Sequence, residues 1–162
     1  MHRAVVTFLL LPFPVWADHF TVELKIQAGK EAETIQGESE AVGVKPRPRK
    51  VMYVKTGTPL HVSWSLTNTS KDVVCKNVLV HFFAAREEKL GQFAPPKLDK
   101  KVPAETALVL DFNPGETARG GLTFTIDQPG FYLLRVETQR AAQGPEGHEH
   151  FAALDLVIEK KN

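Results

Sequence analysis

Beyond its first nineteen residues the chain alternates apolar and polar side chains with period two, and no stretch sustains the 3.6-residue period of an amphipathic helix. Successive side chains of a strand point to opposite faces, so such a pattern builds sheets with one dry face and one wet face. In "FTVELKI" (20–26) Phe20, Val22, Leu24 and Ile26 share one face and Thr21, Glu23 and Lys25 the other. "LHVSWSLTN" (60–68) turns Leu60, Val62, Trp64 and Leu66 inward, and "GLTFTI" (121–126) does the same with Leu122, Phe124 and Ile126. "VMYVK" (51–55), "NVLVHFFAA" (77–85), "ETALVLDF" (105–112), "FYLLRVET" (131–138) and "HFAALDLVIE" (150–159) complete the series, separated by turn signals such as "GTP", "NTSKD", "NPGE" and "DQPG". Many short strands with Pro, Gly, Asn and Asp punctuation and no helices predict an all-β antiparallel sandwich of about seven to nine strands. Two charged stretches, 27–50 and 86–103, carry glycine or proline and are expected as long loops, the first with a possible short strand around 41–44.

The first seventeen residues, "MHRAVVTFLLLPFPVWA", differ in kind. One arginine precedes an apolar run over 4–16, and Val15 and Ala17 supply the small residues of a cleavage site. This is the pattern of a secretory signal peptide, too short and too proline-interrupted to span a bilayer. The expected organisation is a signal peptide at 1–17, a strand and long charged loop at 18–50, and a sandwich domain at 51–162. The expected location is exported, periplasmic or extracellular. Net charge is +1, so no global field draws in nucleic acid. One cysteine, Cys75, leaves no internal disulfide.

Within "DQPGFYLLRVET", Asp127, Gly130, Tyr132 and Leu134 have the spacing of a tyrosine corner, in which a tyrosine near the start of strand F bonds back to upstream main chain. With "GLTFTI" as strand E, "VLVHFFAA" as strand C and "LHVSWSLTN" as strand B, the chain over roughly residues 51–160 resembles bacterial exported immunoglobulin-like domains of the adhesion- and cell-envelope-associated kind. That resemblance implies an immunoglobulin-like β-sandwich with Tyr132 as architecture. The paired cysteines of antibody domains are missing. Leu134 stands at the strand F position, and Val62 or Trp64 at the strand B position.

The same resemblance sets strands C, F and G side by side, with Val80, Phe82, Tyr132, Leu134, Val136, Leu154, Leu156 and Ile158 inward. The residues between them then face out. Leu79, His81, Phe83, Phe131, Leu133 and Phe151 are the candidate partner-binding set, joined by Ala153 and Val157 and diluted by Arg135, Glu137 and Asp155. Each large apolar side chain left in water forgoes about 1.5–3 kcal/mol. The face therefore calls for a cover, either the 20–26 strand or the 86–103 loop, or else a protein partner or second copy.

A metal is the alternative. His148 and His150 lie two apart, hence on one face of a strand, and cleavage after Ala17 would leave His19 beside a free amine, a set suited to copper or zinc. His81 would lie about 10 Å away across the sheet, too far to share the ion. Otherwise no cofactor is expected. "KPRPRK" (45–50) reads as a solvated extended loop, and Asn68-Thr69-Ser70 fits the N-glycosylation pattern. No G-x-S-x-G, H-E-x-x-H, glycine-rich phosphate loop or C-x-x-C is found, so the sequence predicts a non-catalytic exported binding or scaffold module of the cell envelope, not an enzyme.

Overall fold

The computed structural model describes residues 20–41, 48–92, 98, 102–140 and 148–161. The segment expected as a signal peptide and His19 lie outside them. Among the described residues ten strands form two sheets: β1 (Phe20–Ala28), β2 (Glu31–Gln36), β3 (Glu38–Ala41), β4 (Val51–Lys55), β5 (Leu60–Asn68), β6 (Cys75–Glu87), β7 (Ala104–Phe112), β8 (Thr117–Phe124), β9 (Gly130–Arg140) and β10 (His148–Glu159). One sheet has the order β2-β1-β5-β8. The other runs β3-β10-β9-β6-β7, with β4 also paired to β10. This is an all-β sandwich with β5, β6, β8, β9 and β10 in the places of strands B, C, E, F and G.

The alternation decides which side of each strand is dry. Leu24, Ile26, Leu60, Leu66, Val78, Val80, Phe82, Leu134, Leu154 and Leu156 are almost wholly buried in one core between the sheets. The N-terminal strand is integral to it: β1 lies between β2 and β5, in register from Phe20 opposite Asn68 to Ala28 opposite Leu60. Trp64 fills core by size, as expected from the missing disulfide. It lies opposite Gly120, where a Cβ would come within 2.1 Å of the indole, so "RGG" in β8 makes room for the ring.

Tyr132 is buried, and its hydroxyl donates to the Gln128 carbonyl at 3.0 Å. The tyrosine corner is present, and burial raises the phenol's pKa. Asn68 is buried as well. Its side-chain amide donates to the Val73 carbonyl at 2.8 Å and its oxygen accepts from the Ser70 N–H at 3.1 Å. The glycosylation pattern there is spent on a turn.

Two expectations change. The 27–50 stretch is not simply a loop. Gly29, at φ 62°, turns the chain so that β2 pairs back on β1, and β3 follows onto β10. Nor is pairing wholly antiparallel, because β4 runs parallel to β10 from Val51 opposite Asp155 to Lys55 opposite Glu159. β3 and β4 thus take successive parts of one β10 edge while running in opposite directions.

Candidate functional site

The site is the outer face of the six-stranded sheet, and strand register lays it out in rows. His81 on β6 faces Glu137 on β9, which faces Phe151 on β10. The next rows are Phe83–Arg135–Ala153, then Ala85–Leu133–Asp155–Val51, then Glu87–Phe131–Val157–Tyr53.

The middle of this face is dry. Phe83, Ala85, Leu133, Phe151 and Ala153 form a second small hydrophobic cluster, separate from the main core, with Val102 packed against it. Of the expected partner-binding set, Phe83, Leu133 and Phe151 are therefore brought together and buried. His81 borders them, its ring 5.2 Å from that of Phe83, and is half-buried. Leu79, half-buried, lies near the far end of β6 opposite exposed Val109. Phe131 is 36% exposed, two rows from Phe83. The 20–26 strand cannot be the cover, because β1 belongs to the opposite sheet and turns its apolar side chains into the main core. Val102 comes from the 86–103 stretch.

Polar groups frame the cluster at both ends. At one end, His81 Nε2 lies 2.9 Å from Glu105 Oε1 and Nδ1 lies 3.5 Å from Glu137 Oε1. Arg135 Nε donates to Glu137 Oε2 at 2.5 Å while its guanidinium stacks 4.0 Å over the Phe151 ring, an attractive cation–π placement. At the other end, Arg49 crosses over from residues 48–50. Its Nε donates to Asp155 Oδ1 at 2.5 Å and its Nη2 to Glu87 Oε1 at 2.8 Å. Both acids are buried, at 3% and 2% exposure for Glu87 and Asp155. Burial pushes the Glu87 carboxyl up to about 7, against the pull of Arg49 and with a further push from Asp155. Burial also raises Asp155, against Arg49.

This Arg49–Glu87–Asp155 cluster was not found in the sequence. The available signal was Asp155, an acid at an outward position of a strand with apolar residues on both faces; Glu87 was expected in the 86–103 loop. Their cation lies in "KPRPRK", which the sequence placed in a solvated loop. Beyond the cluster, Val51 (37% exposed), Tyr53 (61%) and Phe131 form an open apolar strip with half-buried Val157.

For the metal alternative, His19 and the side chain of His148 lie outside the described residues. His150 is half-buried, its ring 5.9 Å from that of Phe20. No group of three or more His, Cys, Asp or Glu suited to a metal occurs among the described residues. Cys75 is buried at the start of β6. Among the described residues no helix is long and apolar enough to cross a membrane.

No family model matches the chain, and no curated protein matches it. Among solved structures it is similar to the catalytic domain of the LPMO Lmo2467 from Listeria monocytogenes, at 18% identity and a TM-score of 0.34. The match covers 67% of this chain and 59% of that one, so the chain spans under two thirds of that domain's length. That structure is a catalytic domain, and it overturns the expectation that the chain is not an enzyme. The missing motifs were those of other enzyme folds, and function lives in sites grafted on folds. At this similarity no activity of that domain carries over.

Proposed function

We propose that the chain is an exported β-sandwich module that binds a protein, a second copy or another chain, through the outer face of its six-stranded sheet. The observation that carries this is the strip of Val51, Tyr53 and Phe131, with Val157 between them, open to solvent across three adjacent strands. Scattered apolar residues on a surface are ordinary, whereas an in-register strip beside a covered apolar cluster has the composition of an interface, with an aromatic anchor and a polar rim. Export is supported by the apolar leader at 4–16, and the chain would then act in the periplasm or outside the cell.

The test is a photocrosslinking side chain at position 53, with one at exposed Lys71 as control, in cells producing the full chain. A discrete adduct from position 53 alone is expected. Its mass separates self-association from a different partner. Equal labelling from both positions, or none from position 53, overturns the proposal.

A further inference from the structure

We infer that Glu87, Arg49 and Asp155 form a proton-controlled clasp, which holds the 48–50 segment and the 88–92 turn against the outer face of the six-stranded sheet. Two carboxylates share one guanidinium out of water. Glu87 Oε2 is buried and has no hydrogen-bond partner within bonding geometry among the described residues. A buried charged oxygen without a partner is costly, and a proton on it removes the excess negative charge. With Glu87 neutral the cluster balances as Arg49⁺ with Asp155⁻. With Glu87 ionised, one negative charge is left over in the dry region.

Among the described residues the groups that face Glu87 are few. Arg49 approaches from the 48–50 segment, Asp155 from β10 and the Gly91 backbone N–H from the turn, the last favouring the charged form. Phe131 lies opposite on β9, with Val157 and Tyr53 further along that row. On its own side of the chain, Arg86 donates to Gln128 and the Pro129 carbonyl, and the Glu88 N–H donates to Gln92. Lys50 pairs with Glu33. Among the described residues only Arg49 is thus placed to neutralise both acids. The Lys50 carbonyl accepts from the Asp155 N–H at 2.9 Å, so that hydrogen bond reports whether the segment is seated.

Burial holds the Glu87 proton to about 7, against 4.5 for an ordinary glutamate. The seated form therefore binds the proton more tightly than the opened form. Opening becomes easier as pH rises between those values and levels off above the upper one. Proton linkage sets about a tenfold change per pH unit, up to a few hundredfold in all. The clasp does not depend on whether the face takes a partner.

The experiment follows amide hydrogen exchange in the full chain from pH 4.5 to 8, corrected for intrinsic exchange, beside a ¹³C titration of the Glu87 carboxyl. Protection of the Asp155 amide is expected to fall with rising pH, while the Asn68 amide, bonded to the Glu116 carbonyl in the other sheet, holds steady. In Glu87→Gln the fall at Asp155 disappears. An ordinary Glu87 titration, a fall at Asn68 in step with Asp155, or an unchanged fall in Glu87→Gln would each overturn the clasp. The carboxyl titration decides the matter even if the variant does not fold.

Discussion

The two outer faces of the sandwich are built by the same alternation and end in opposite conditions. On the four-stranded sheet the outward rows are Gln27–His61–Thr123 and Lys25–Ser63–Gly121, polar or small, and exposed. They line a shallow groove of about 500 Å³. All are open to solvent, and His61 Nδ1 also lies 2.9 Å from Thr123 Oγ1. On the six-stranded sheet the outward rows carry phenylalanine, leucine and alanine among carboxylates, and the chain returns over them with Arg49 and Val102. A polar outer face needs no other part of the chain. An apolar one needs a cover, and once covered its buried acids need partners, which for Glu87 and Asp155 come from far away in sequence.

Substitutions should separate the two faces sharply. The largest effect is expected for Arg49→Ala, which strands two buried acids and should cost about 3–5 kcal/mol in urea unfolding at neutral pH. Adding Glu87→Gln and Asp155→Asn to that variant should restore part of the loss. A single Arg49→Ala cost under about 1 kcal/mol would make this a surface pair and erase the contrast. Next comes Leu133→Ala in the outer cluster, at about 2–5 kcal/mol if the cluster is as well packed as a core. A value near zero would mean that water already reaches it.

The acids should also differ in sign. Glu87 is raised above its unfolded value, so its share of stability is present below about 4.5 and lost as pH rises to about 7. The full span is on the order of 3 kcal/mol. Glu87→Gln should flatten that slope, measured as the unfolding midpoint against pH.

The inward face was legible because it depends only on neighbours two residues apart. Phe20 to Ile26, Leu60 to Leu66 and Leu154 to Ile158 all point where the alternation puts them, and Asp127, Gly130 and Tyr132 announce the corner. The outer cluster was half legible. The apolar excess at Phe83, Leu133 and Phe151 showed that something must lie over the face, but not what. Arg49 and Asp155 are 106 residues apart, and no local pattern links them. β2 was missed for a related reason: "EAETIQ" is an exposed edge strand held by β1, with little apolar content of its own.

The smallest expected effect lies on the four-stranded face. Lys25 Nζ sits 2.7 Å from Glu23 Oε1 with more than half of its side chain in solvent. Hydrogen bonds from Lys25 and from Gln36 hold the Glu23 carboxyl below its ordinary range. Its contribution is therefore present at neutral pH and lost in acid, the reverse of Glu87. Exposed pairs are screened and pay entropy to stay in place, so Lys25→Ala should change stability by under about 0.5 kcal/mol at neutral pH. It should also move the Glu23 carboxyl back toward 4.5 in a ¹³C titration. A loss approaching that of Arg49→Ala would mean that this face, too, is covered by something, and the contrast between the two sheets would have to be abandoned.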